Sequence, residues 1–283
     1  MARRPHGGGG GGDPEGVGAG EGGRVPDRGP GAAGGGRLLE ALGWAEAAAL
    51  LVGLWWAAAL LRPGFIPDPP SVAAYALSID LWTLASSVLI TLRNSVEGFA
   101  IALLASLGAA YLYFSRPGLR PMVYALNTML QSVSVLAWAI VLTMAFGVLS
   151  PIPPVLVTAA ACLPVIMSSA VEAVRAVDER LMDVMKMLGA SKPQAFLNAV
   201  LPASVPSLAA ASRSGLGLAL RISVVAEAFG SSGGVGYMMV RAYSLVVPEG
   251  VMAWALILVA LMLAMDLLVM RRVVEVAEAW RLS

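Results

Sequence analysis

An all-α integral membrane protein with six membrane-spanning helices is the fold class this sequence predicts, on three observations. The 283 residues are 58% hydrophobic and only 13% charged, with a mean hydropathy of +0.77; soluble domains carry about 25% charged residues. Six apolar runs approach or exceed the roughly 20 residues a helix needs to cross a bilayer, at 44–61, 88–114, 122–147, 152–172, 204–229 and 251–270. Finally, if those runs alternate in direction, 14 of the 19 Lys and Arg residues fall on one side.

The first 37 residues stand apart. Sixteen of the first 36 are glycine, including the run Gly7–Gly12, so the segment has too little apolar surface to offset its ordering entropy and is expected to be disordered. The glycine run lacks the Lys-Ser/Thr that a phosphate-cradling loop requires, and no short apolar region with a cleavage site follows its arginines, so it does not read as a signal peptide. The membrane domain is expected to be residues 38–283. Between the first two spans lies RPGFIPDPPSVAAYALSID, whose prolines disfavour one continuous helix. Trp55, Trp56, Trp82, Tyr111 and Tyr113 are either interfacial aromatics or packing residues.

The basic residues orient the spans. Arg3, Arg4, Arg24, Arg28 and Arg37 precede the first; Arg116 and Arg120 lie between the second and third. Arg175, Arg180, Lys186 and Lys192 lie between the fourth and fifth, and Arg271, Arg272 and Arg281 follow the last. The opposite side holds only Arg62 and Arg241. The positive-inside rule then predicts an inner-membrane, multi-pass protein with both termini cytoplasmic.

The longest cytoplasmic connection is 172–203. Val177, Leu181, Val184 and Leu188 recur at helical spacing, with Asp178, Arg180, Asp183 and Lys186 elsewhere on the helix. Gly189 stops this helix. Ser191 reads as the cap of a second, short helix, Pro193 to about Val200, with Pro193 in its first turn. Leu201-Pro202 is expected to end that helix and turn the chain into the fifth span.

These residues resemble a known family, the permease subunits of ATP-binding-cassette importers, whose cytoplasmic motif is Glu-Ala-Ala, then Gly three residues on, then Leu-Pro about a dozen further. Here the corresponding residues are Asp183-Val184-Met185, Gly189 and Leu201-Pro202, so Asp stands for Glu and Val-Met for the two alanines. VRAVDERLMDVMKMLGAS, VLPASVPSLAAASRSGLGLAL, VVAEAFGSSGGVGYMM and SVSVLAWAIVLTMAFGV carry the likeness over about 85–272, most closely to the branch importing nitrate, sulfonates, taurine and pyrimidine-type precursors. The resemblance implies the type I importer permease fold with a cytoplasmic coupling helix. It further implies that a second permease copy forms the pore with this one, and that a cytoplasmic ATPase carries ATP and Mg while this chain binds no cofactor. An extracytoplasmic binding protein would deliver a small, anionic or heterocyclic cargo. Asp183, Lys186, Gly189, Ala190, Ser191 and Pro202 would then form the contact with the ATPase, the charged pair through charge-assisted bonds.

Charges inside spans usually face a pathway or a partner. Arg93 and Glu97 sit at i, i+4 and suit a local ion pair; Asn94 lies beside them. Gln131, Ser132 and Ser134 either line a cavity or bond across helices. Arg213 is close enough to the cytoplasmic end to snorkel. Arg221 lies about 12 Å deeper by helical rise. Glu227 precedes a stretch with Gly230, Gly233, Gly234 and Gly236 that should break the helix into a short gate near the outer face, tolerable there only if protein or water covers it. Glu227 is expected to hold that gate through backbone N–H groups, and Arg221 to line the route and favour an anion.

The chain offers little for other function classes. A net charge of +1 gives no nucleic-acid footprint. The only His, His6, is in the glycine-rich tail, and the only Cys, Cys162, is in an apolar run where it reads as a packed hydrophobe. An intramembrane enzyme would need a nucleophile–base or metal set that these do not supply. A channel or ion-coupled transporter independent of an ATPase is the alternative, and it would have no use for the 172–203 element.

Overall fold

The computed structural model describes residues 32–62 and 64–266, and every regular element among them is helical. The described residues fall into two units, divided between Leu54 and Trp55. The described part of the first belongs to helix α1 (Ala32–Leu61), which contains the first expected span as a 17-residue apolar stretch, Ala45–Leu61. Helix α1 reaches back six residues into the expected disordered tail, although Gly34, Gly35 and Gly36 disfavour helix. Residues 1–31 lie outside the described residues, as do Arg271, Arg272 and Arg281.

In the second unit, Asp68 and Asp80 start successive helices. Asp68 Oδ2 accepts from Ser71 N (3.4 Å) ahead of α2 (Pro69–Ser78), and Asp80 Oδ2 from Thr83 N (3.1 Å) ahead of α3 (Leu81–Ser115). Then come α4 (Arg120–Ser132), α5 (Val135–Phe146) and α6 (Ile152–Arg175). A surface connection follows with α7 (Glu179–Met187) and α8 (Lys192–Ala195). The described residues close with α9 (Leu201–Gly230), α10 (Val235–Ser244) and α11 (Pro248–Met265).

By length and apolarity, α3, α6, the helix running through α9 and α11 can each cross a membrane, and α4 with α5 make a fifth if counted together. The expected third span, 122–147, is thus not one straight helix. It bends by 87° between α4 and α5, where Val133 is extended and two serines flank it. Ser132 Oγ donates back to Thr128 O at 2.8 Å, and such backbone competition with a β-branched neighbour weakens the helix there.

A second difference concerns Leu201-Pro202. This pair does not end the short helix. Residues Lys192–Gly230 form one 39-residue helix, and Phe196–Val200 is a π-helical turn in which Leu201 N donates to Phe196 O. Pro202 has no N–H to give residue 198, so the ladder slips by one residue instead of breaking.

The core lies where α3, α5, α6 and α9 meet. Ala102, Ala139, Val157, Cys162, Ile166, Ala219, Ile222 and Ala226 are all buried there. Small residues on crossing faces let the helices approach closely, the main source of stability when lipid is as apolar as the side chains.

Candidate functional site

Helix α9 ends at Gly230; the chain turns through Ser231–Gly234 and re-enters as α10. The first N–H groups of any helix lack intrahelical partners, and those of α10 are buried. Two side chains from other helices satisfy them. Val235 N donates to Thr91 Oγ1 at 2.9 Å, and Gly236 N donates to Glu227 Oε2 at 3.1 Å. Glu227, only 1% exposed, also accepts from Thr91 Oγ1 (2.9 Å), Asn94 Nδ2 (2.9 Å) and Ser223 Oγ (3.1 Å). One carboxyl group therefore ties α3, α9 and α10 together, with its oxygens fully occupied.

Glycine is required at 236 for space. A Cβ there would overlap the carbonyl oxygen of Val224, which is backbone and cannot rotate away. Gly236→Ala is expected to cost about 3 kcal/mol by overpacking, read as a lower unfolding midpoint of the purified protein. An unchanged midpoint would contradict the close approach.

The second candidate region is α7 to the start of α9. Asp178 Oδ1 caps α7 by accepting from Arg180 N at 2.8 Å. At its other end, Ala190 N donates to Met185 O and Gly189 N to Lys186 O, each at 3.0 Å. Gly189 is at φ +69°. These two bonds close the Schellman motif, whose left-handed position favours glycine. Gln194 Oε1 accepts from Ser191 N and Oγ, both at 2.9 Å. Asp183 and Lys186 pair with each other at 2.9 Å and remain 66% and 76% exposed. An exposed pair of this kind contributes well under 1 kcal/mol, so both charges stay available to a partner.

The segment after Ser191 is clamped to the Ser115 end of α3. Lys192 Nζ donates to Ser115 O at 2.7 Å, a cation on the terminal carbonyls of a helix. Buried Phe196 packs edge-on against Tyr111 (centroids 5.2 Å apart) and tilted against Phe114 (5.8 Å).

Other expected site residues are not gathered here. Gln131 and Ser134 are exposed at the α4–α5 elbow. Arg221 is exposed, away from Glu227, and lines a groove of about 260 Å³ between α9 and α11 with Arg213, Leu220 and Asp266. Arg213 pairs with Asp266 (Nη2–Oδ1 2.8 Å). Arg93 pairs with Glu97 (Nε–Oε1 2.7 Å). Thr91, Ser223, Lys192 and Phe196 were not singled out from sequence. Thr91 and Asn94 at i, i+3, with Ser223 and Glu227 at i, i+4, are the signal for the first two: polar groups at helical spacing inside apolar spans.

Comparison with known proteins follows the same outline. Residues 98–275 match the family described as binding-protein-dependent transport system inner membrane component. The taurine transport system permease protein TauC of Escherichia coli K12 is 28% identical over 218 residues, covering 72% of this chain and 78% of the relative. The putative aliphatic sulfonates transport permease protein SsuC of Bacillus subtilis 168 is 41% identical over 69 residues, covering 24% of this chain and 25% of the relative. A structure of the MetNI methionine ABC transporter in inward-facing conformations superposes with a TM-score of 0.56 at 17% identity, covering 68% of this chain and 97% of that one, a likeness of fold.

Proposed function

The chain belongs to the family of binding-protein-dependent transport system inner membrane components, and on that premise we propose how it works and what it carries. It is a multi-pass membrane protein, the permease subunit of an ATP-binding-cassette importer. Its cargo is a small organic sulfonate or a related anion, the class named for the taurine and sulfonate relatives. Two copies form the pore, both termini lie in the cytoplasm, and a binding protein delivers cargo at the outer face. ATP and Mg sit on the cytoplasmic ATPase.

The observation that carries this reading is the α7–Gly189–α8 element. Exposed Asp183, Lys186, Met187 and Leu188 precede a sharp glycine bend, and the next helix is continuous with α9. Asp183, Lys186, Gly189, Ala190 and Ser191 face the ATPase, while Pro202 sets the helical slip behind them. Motion there reaches the Glu227–Asn94 latch along α9, so closing the ATPase dimer shifts α10 and opens the outer gate. Gln131 and Ser134 at the elbow and Arg221 on α9 complement this route.

Reconstitution tests it. The chain should copurify with an ATPase and, with its binding protein, take up taurine or ethanesulfonate only when ATP is supplied; ATP-independent uptake would overturn the reading. Gly189→Val strains the left-handed position by about 1–2 kcal/mol. Stimulated ATP hydrolysis should fall about tenfold with the chain still in the membrane. Wild-type stimulation in that variant would sink the coupling role.

A further inference from the structure

Arg93 and Glu97 make an ion pair on the outside of a membrane helix. Their side chains are 68% and 45% exposed, and the rest of that face of α3 is apolar, with Leu89, Val96, Ile101 and Leu104 all exposed. By helical rise the pair lies about 18–24 Å from the Leu81 end and about 27–33 Å from the Ser115 end. A hydrocarbon layer of about 30 Å centred on α3 takes in both residues, Arg93 about 7–8 Å and Glu97 about 13 Å inside its edge by helical rise. Facing lipid would cost several kcal/mol.

The pair also leaves donors free. Only Nε of Arg93 is used by Glu97; its two Nη groups make no hydrogen bond among the described residues. Glu97 thus fixes the guanidinium without saturating it, the arrangement that suits two oxygens of a sulfonate or carboxylate. Its location fits as well. Asn94, next in sequence, holds Glu227. A Cβ at Gly233, in the turn before α10, would meet Ile90 Cδ1 at 2.7 Å, so that turn sits about one helical turn from Arg93.

We propose that Arg93, oriented by Glu97, is an oxyanion-binding site in a water-filled route shared with the second copy, reached by cargo immediately after the α10 turn. The proposal rests on the permease reading and deepens it, and Arg93 rather than Arg221 becomes the first cationic contact.

The test uses Leu89→Cys, on the same face one turn from Arg93 and away from Glu97, in a Cys162→Ser background of the assembled importer in membranes. With each rate referred to that reagent's own rate on a small free thiol, the anionic reagent (2-sulfonatoethyl) methanethiosulfonate should label this position about fivefold faster than its trimethylammonium counterpart, roughly the effect of one nearby charge in wet surroundings. Arg93→Met should abolish the preference but not the labelling, and Arg93→Lys should keep much of it. No labelling by either reagent overturns the water-filled route. Equal labelling overturns the anion site, and so does a preference that survives Arg93→Met. No cargo enters the assay, so an error in the sulfonate assignment leaves its outcome unaffected.

Discussion

Replacing Glu227 with leucine is expected to abolish transport and to destabilise the protein by roughly 3–9 kcal/mol, because it strands three buried donors at about 1–3 kcal/mol each. The stranded groups are Thr91 Oγ1, Asn94 Nδ2 and Gly236 N, all of which now donate to this one side chain. Ser223 is less affected, since a helical serine can turn back to the carbonyl four residues earlier. Glu227→Gln keeps one acceptor oxygen and should fall between the two. Thermal unfolding of the detergent-purified complex, with ATP-driven uptake in vesicles, measures both effects. A leucine variant with parental stability would mean that α10 is held by something other than this latch.

The second large effect is expected at the other end of α9. Phe196→Ala removes a ring packed between Tyr111 and Phe114, a truncation that costs about 3–5 kcal/mol when buried. The Lys192 bond to Ser115 O would remain. ATP hydrolysis should continue without stimulation by loaded binding protein, and uptake should fall to background, while the chain stays in the membrane. Phe196→Leu refills most of the volume and should restore uptake substantially. Wild-type uptake by the alanine variant would show that this anchor transmits nothing.

Much of this architecture was legible in the sequence because a bilayer imposes simple rules. Apolar runs had to be helices, and the glycines after Glu227 had to interrupt one. The two failures have physical causes that composition hides. The bend at Val133 comes from serine side chains competing for backbone groups, with no Pro or Gly to announce it. The continuity through Pro202 depends on a π turn, and periodicity alone does not distinguish a slipped ladder from a broken one. At the site, Glu227 and Asn94 stood out as polar residues in an oily setting. Thr91 and Phe196 did not, since a lone threonine or phenylalanine is ordinary in a membrane helix until its cross-helix partner is known.

The 39-residue helix Lys192–Gly230 is about 58 Å long by its rise, and it carries Phe196 near one tip and Glu227 near the other. Such a rod works as a lever. A tilt of about 5° about one end displaces the other by about 5 Å, enough to pull Glu227 away from donors whose bonds fail within a fraction of that distance. On the proposed coupling, two sites carried by one continuous helix move together rather than in sequence. A mutation that softens the helix midway, such as Leu216→Gly, is then expected to separate ATP consumption from transport without touching either site.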